Sequence, residues 1–338
     1  MKQVFFSGLM ALLLLSACKK DSDGNNDEED TGIIIPEVPF DQLRASEQTL
    51  NVAASANYVN LMGDKRKALP QFPALKVKGG KAIGYVKDSY GRPVANASIG
   101  VRASVVAGIY TAATGVTNDK GYYELDLPQG TAHYYNAGYV IDLEGGRAAL
   151  GLYPADGQLV SFASAAGAVR NFVLMPYGQG EPGELAARPH DCNNYLGGSL
   201  MLMWVIREGQ FPTAGSLPAG LVFEVKLTPL SLFHGDEKRT FIIRKTVQAG
   251  INLSINNLPL GKYKVEIRSV TAPQDQFLYL KETGVHPRSQ QYGLFPKTGG
   301  MGIASYTHIT VPAFTGAGMP APFRGHWDQP VIMVGMIE

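Results

Sequence analysis

Two hydrophobic patterns divide this chain. Near its start, residues 4–15 form a largely apolar run between Lys2 and the small residues Ser16 and Ala17. Beyond Gly80 the apolar positions recur at every second residue, as a sheet with one buried face requires. Residues 82–86 predict a strand, and 88–93 (Asp-Ser-Tyr-Gly-Arg-Pro) a turn, because Gly91 tolerates positive φ and Pro93 fixes the exit. Ala97, Ile99 and Val101 alternate with small or polar neighbours. Residues 116–125 predict strand, tight turn and strand, with Gly121 in the left-handed position. Leu127-Pro128-Gln129-Gly130 predicts a corner, and 169–175 a closing strand.

After a Gly/Pro/Glu linker at 177–184 the same pattern resumes. Strands are predicted over 200–206 (holding Trp204), 221–227, 240–247, 251–255, 263–270, 306–311 and 331–334. Leu258-Pro259-Leu260-Gly261 echoes Leu127-Pro128-Gln129-Gly130, which points to a second sandwich of related design. The final strand is so apolar that an open position at a sheet edge is unfavourable for it. Between the apolar run and Gly80 the pattern changes again. Leu43, Leu50, Ala54, Tyr58 and Leu61 recur at helix-like intervals and predict one helix or an irregular arm, against the preference of Asn51, Asn57 and Asn60. The fold expected is all-β, with two β-sandwich domains. The segments are 1–17 signal peptide, 18–36 acidic tether, 37–79 arm or short helix and linker, 80–177 first sandwich, 178–189 linker, and 190–338 second sandwich.

The apolar run is too short to span a bilayer and ends in Leu15-Ser16-Ala17-Cys18, which is how a secretory signal ends. Cys18 stands where the acylated cysteine of bacterial lipoproteins stands, so the segment resembles a lipobox. That resemblance implies cleavage before Cys18, palmitate-type acylation of it, and a partner in the membrane. An ordinary signal peptide or an uncleaved anchor would carry the same run. Residues 19–30 hold six carboxylates and almost nothing apolar, so they are expected to form a solvated tether. They also resemble the acidic export signal of Bacteroidetes lipoproteins, which implies an outer-membrane location facing the cell exterior.

The first sandwich resembles the carboxypeptidase regulatory-like domain, a seven-stranded relative of transthyretin. Ile83-Gly84-x-Val86, Asp88 with Gly91-x-Pro93, Ala97-x-Ile99, Thr117-Asn118-Asp119-x-Gly121-x-Tyr123, Leu127-Pro128-x-Gly130 and Phe172-x-Leu174 carry the resemblance. The chain departs from it over 138–162, which is longer and Gly-rich. The resemblance implies a module that accompanies peptidases without performing catalysis.

Composition agrees with strands and turns: charged residues are only 17%, with 39 Gly and 21 Pro. A net charge of +1, with no basic run among aromatics, gives nucleic-acid binding no support. With Cys18 taken by lipid, Cys192 has no partner and is expected as a small buried side chain. Residues 190–192 (His-Asp-Cys) are the nearest approach to a metal constellation, and the loop reading outweighs it. HExxH, GxSxG and P-loop motifs are absent, so no enzyme activity, cofactor or metal is expected. The remaining resource is aromatic. Tyr110, Tyr122, Tyr123, Tyr134, Tyr135, Tyr139 and Tyr153 crowd the first sandwich, and adjacent tyrosines on a strand face opposite sides. Tyr122, Tyr123, Tyr135 and Trp327 are the candidates for stacking on a sugar. The expected function is non-catalytic binding of an extracellular ligand, carbohydrate or a surface protein. The alternative is a structural subunit of a surface assembly, since Bacteroidetes fimbrillins also resemble acylated precursors built from such sandwiches.

Overall fold

The computed structural model describes residues 33–64, 67–104, 109–143, 146–206, 216–234, 237–271, 278–282, 303–304, 306–311, 321–325 and 329–336. Cys18, the signal segment and Trp327 lie outside them. The fold is all-β, as the alternating pattern predicts.

The arm departs from expectation. Residues 41–62 hold two strands, β1 (Ala45–Val52) and β2 (Tyr58–Asn60), joined by a turn. In β1 half-buried and exposed residues alternate strictly, and Leu50 and Val52 pack on the second hydrophobic core. The inward positions Ser46 and Gln48 are polar, which disguised a period of two as a sparse helical spacing.

The first sandwich follows, with β3 (Lys81–Asp88), β4 (Ser98–Ser104), β5 (Tyr110–Val116), β6 (Tyr122–Asp126), β7 (Thr131–Leu143), β8 (Gly146–Gly151), β9 (Tyr153–Pro154), β10 (Phe162–Ala163), β11 (Ala168–Val169) and β12 (Phe172–Leu174). One sheet is built on β3, which pairs with β6 on one side and with β11 and β12, in parallel, on the other. The other sheet runs β10-β7-β4-β5, with β8 also on β7. Their facing residues, among them Val86, Ile99, Val101, Tyr123, Leu125, Tyr134 and Phe172, form one buried core. The predicted turns form as read. Asp88 Oδ1 accepts from the Tyr90 and Arg92 amides, and Gly91 takes φ +87°. A Cβ at Gly91 would meet the Ile33 carbonyl at 2.7 Å. Residues 33–36, expected as the end of the tether, thus lie against this turn, and the Ile35 amide donates to the Tyr90 carbonyl.

Residues 178–189, expected as a linker, contain a one-and-a-half-turn helix, α1 (Pro182–Ala187). Glu181 caps it by accepting from the Gly183 and Glu184 amides, with Pro182 at the first helical position. The second sandwich then adds β13 (Gly198–Met203), β14 (Val205–Ile206), β15 (Ser216–Leu217), β16 (Val222–Leu232), β17 (Lys238–Thr246), β18 (Leu253–Leu258), β19 (Gly261–Ser269), β20 (Tyr279–Glu282), β21 (Ile303–Ala304), β22 (Tyr306–Val311) and β23 (Val331–Gly335). Its sheets run β1-β17-β16-β19-β22 and β2-β18-β13-β23-β20-β21. The apolar β23 is covered on both sides, by β13 and β20. Pro229 borders the point where the β16–β19 register slips, and a bulge is one of the sheet positions that tolerate a missing amide hydrogen.

Both strands of the arm therefore complete the second sandwich, each at the edge of a sheet. β1 pairs in parallel with β17, from Ala45 opposite Lys238 to Val52 opposite Lys245, and β2 pairs in parallel with β18. Lys245 fixes this closure. It holds an inward position on β17 between the buried Ile243 and Val247, and is itself fully buried. Its ammonium donates to the carbonyls of Ala53 (2.8 Å), Ala54 (2.6 Å) and Ala56 (2.8 Å), which are the turn between β1 and β2. A second buried lysine, Lys87 on β3, donates to the Gln71 carbonyl at 2.9 Å and holds the segment that leads into the first sandwich.

Candidate functional site

The first sandwich presents two outer faces, and the predicted tyrosines divide between them. On the β3–β6 face, Tyr122 lies opposite Tyr85 with ring centroids 5.3 Å apart. The Tyr122 hydroxyl donates to Glu124 at 2.7 Å. Glu124 also takes Lys78 at 2.7 Å and Lys81 at 3.0 Å. The Lys78 hydrogen bond foremost, then that of Tyr122, pulls the Glu124 carboxyl down to about 2. Burial, then the bond to Glu124, pushes the Tyr122 phenol up. Tyr122, Glu124, Lys78 and Lys81 are thus partnered with one another.

Tyr123 is not available to a ligand. It is only 2% exposed, on the inward side of β6. Its hydroxyl donates to the Arg170 carbonyl at 2.7 Å and lies 3.2 Å from the Tyr134 hydroxyl. Burial pushes its phenol, like that of Tyr134, up. The strand alternation that sends Tyr122 outward sends its neighbour into the core.

The β5–β4–β7 face carries a different arrangement. Along β4 the outward positions are Ser98, Gly100, Arg102 and Ser104. Arg102 is central: its guanidinium carbon lies 4.9 Å from the Tyr110 ring on β5 and 5.8 Å from the Tyr135 ring on β7. Its Nε donates to His133 Nε2 at 2.5 Å, and the His133 and Tyr110 rings meet edge-on at 6.4 Å. Burial, and then the Arg102 charge, holds His133 below the usual imidazole range, so it is a neutral acceptor at pH 7. Tyr110 is 55% exposed.

A β-bulge builds the β7 side. The β4–β7 register slips between Gly100 and Val101, which are opposite Asn136 and Tyr134. Tyr135 is the extra residue, so Tyr135 and Asn136 both stand over Gly100. A Cβ on Gly100 would meet the Tyr135 ring at 2.9 Å and Asn136 Cβ at 3.0 Å, so glycine lets the ring lie down on the strand. Asn136 is 8% exposed. Its Nδ2 donates to Ser98 Oγ at 3.3 Å, while its Oδ1 is buried without a partner. A buried polar atom left unpaired is costly.

Sequence reasoning found Tyr135 and counted Tyr110 among the tyrosines, but missed Arg102, His133 and Asn136. The alternation Ser98-x-Gly100-x-Arg102-x-Ser104 was the available signal; the bulge has no local one. Trp327 lies outside the described residues. Trp204 is buried, edge-on to Phe223 at 5.4 Å. Asp191 caps a single 3-10 turn at 192–194; Cys192, expected as buried, is half-buried there, and desolvation foremost pushes its thiol up to about 11. Among the described residues no group of three or more His, Cys, Asp or Glu side chains is arranged to hold a metal.

A further polar cluster lies where the turn at 88–92 meets His234, just beyond β16. Arg92 bonds Asp88 at 2.6 Å and Glu37 at 2.8 Å, and one terminal nitrogen lies 3.4 Å from His234 Nδ1. His234 is 5% exposed and edge-on to Tyr90, whose hydroxyl accepts from Lys67 at 2.7 Å. His234 Nε2 has no partner. Burial pulls this imidazole down to about 4, against the opposing pull of Asp88 and Glu37.

No family model matches the chain, and no curated protein matches it. Among solved structures it is similar to a 9R-lipoxygenase from Cyanothece PCC8801, at 17% identity over 28% of this chain and 16% of that one, with a TM-score of 0.15. It is also similar to the Bacillus anthracis TIE protein, at 15% identity over 56% of this chain and 28% of that one, with a TM-score of 0.21. A third is a Streptococcal ancillary pilin, at 11% identity over 76% of this chain and 62% of that one, also with a TM-score of 0.21. The chain spans less than two thirds of each. Likenesses at this level carry no inference about function.

Proposed function

We propose that this protein is a non-catalytic binding module, lipid-anchored through Cys18 and displayed on the outer membrane, whose ligand is extracellular carbohydrate. The observation that carries the reading is the Tyr110–Arg102–Tyr135 platform. It offers two aromatic rings around a guanidinium on an open sheet face, which suits the apolar face and hydroxyl rim of a sugar. The apolar run ending at Cys18 and the acidic stretch behind it support the anchoring. The strand and turn motifs of the first sandwich support reading it as carboxypeptidase regulatory-like. Binding of the full chain to an array of neutral and acidic glycans tests the proposal, with Tyr110→Ala as comparison. Loss of signal in the variant is expected; an array silent for both proteins overturns it. For the anchor, Cys18→Ser followed by membrane fractionation is expected to release the protein, and unchanged retention overturns it.

A second reading, a structural subunit of a surface assembly, is favoured by β1 and β2. Edge strands supplied by a segment preceding the first sandwich are suited to exchange between copies. A mature protein that stays strictly monomeric in size-exclusion chromatography at high concentration rules this out.

A further inference from the structure

We infer that the Arg102 platform takes an acidic sugar, a uronate whose ring lies on a tyrosine face and whose carboxylate sits on the Arg102 guanidinium. The inference rests on the carbohydrate reading above and names its ligand class.

The charge balance of the face carries it. Among the described residues, several other sheet arginines are matched by carboxylates. Arg244 and Arg268 share Glu224, at 3.0 and 2.7 Å, and Arg170 pairs with Asp156 at 3.0 Å. Arg102 is exposed, and among the described residues no carboxylate pairs with it. Its protein hydrogen bond uses Nε alone, to a neutral imidazole that accepts and adds no charge. That bond and the flanking rings fix the plane of the guanidinium and leave both terminal nitrogens for an external acceptor. A carboxylate fits such a fork through two parallel hydrogen bonds. The opposite face has the reverse character: its carboxylate, Glu124, is saturated by two lysines and a phenol, and it offers an anion no free fork.

The test is calorimetric titration of the full chain with oligogalacturonate and a hyaluronan oligomer. Methyl-esterified oligogalacturonate, neutral xylo- and cello-oligosaccharides and dextran sulfate serve as comparisons. The proteins are wild type, Arg102→Gln, Arg102→Lys and Tyr110→Ala, each checked for an unchanged melting temperature. At least one uronate is expected to bind wild type, with affinity falling about tenfold or more in Arg102→Gln, the scale of a lost charge-assisted pair. Arg102→Lys, which keeps the charge and loses the fork, is expected between the two, and esterification is expected to abolish the preference. Unchanged affinity in Arg102→Gln, or equal binding of ester and acid, overturns the inference. Tighter binding of dextran sulfate than of either uronate overturns the carboxylate assignment. If neutral sugars bind as well as uronates and Tyr110→Ala removes that binding, the uronate inference falls while the carbohydrate reading stands. If no sugar binds, both fall.

Discussion

Replacing Lys245 by Met tests how the second sandwich is closed. Methionine keeps an unbranched stem among Ile243, Val247 and the surrounding core, so the substitution removes the ammonium and little else. Three carbonyls, of Ala53, Ala54 and Ala56, then lose their donor. A hydrogen bond to a charged group contributes about 1.5–3 kcal/mol net, and three bonds sharing one ammonium do not add. Burying the ammonium itself costs several kcal/mol, which the variant recovers in part. The orphaned carbonyls belong to residues that are exposed or half-buried, so water can reach them. The balance is a destabilisation of about 2–4 kcal/mol, concentrated in β1 and β2. Urea unfolding measures the total. Hydrogen exchange locates it, since the β1–β17 amides should lose protection before those between β16 and β19. A cost below about 1 kcal/mol would refute the reasoning, as would a loss of protection spread evenly over the sheet.

His234 sets an acid limit on the contact between the turn at 88–92 and the second sandwich. Its folded value of about 4 lies below the ordinary 6.5, so the unfolded chain takes up the proton first as pH falls. Its contribution is complete above pH 6.5 and is lost on descent towards pH 4, to a maximum of about 3 kcal/mol. Thermal melts of wild type and His234→Gln between pH 7.5 and 4.5 should converge as pH falls; parallel curves would contradict this. Gly100→Ala should lift the Tyr135 ring while changing stability by less than about 1 kcal/mol, because a side chain rather than backbone must give way. Sugar titration of that variant should show weakened binding at an unchanged melting temperature. Cys192, with its thiol raised to about 11, should react slowly with a disulfide reagent at pH 8 in the folded protein and quickly in urea. Equal rates in both conditions would argue against the partial burial of this thiol.

The strands of both sandwiches were legible because their inward positions are apolar and alternate. Phe223, Val225 and Leu227 on β16 are fully buried, as are Tyr263, Val265 and Ile267 on β19. The turns at 88–93 and 118–121 were legible from Asp, Asn and Gly at fixed offsets. The arm was not, because two of its inward residues are polar and its pairing partners lie some 190 residues further on, where no local signal reaches. The candidate site was half legible. Alternation stated that one of Tyr122 and Tyr123 faces inward without saying which. A one-residue bulge at Tyr135 changes the parity of its strand and brings Asn136 to the outer face, something no fixed period can anticipate. The value of Arg102 lies in the lack of a paired carboxylate among the described residues, and a linear sequence does not display such a lack.

The parallel pairing of β1 with β17 also bears on the order in which the molecule matures. Ala53 and Lys245 are 192 positions apart, and every strand of the first sandwich lies between them. During synthesis from the N-terminus, the strands within residues 81–174 pair with one another and can close while β1 still waits. That early closure shortens the loop that the later docking must span, which lowers its entropic cost. Until β17 arrives, β1 is an unpaired ribbon facing a crowded compartment, and its short, polar, Asn- and Gln-bearing sequence is suited to surviving that wait without clumping.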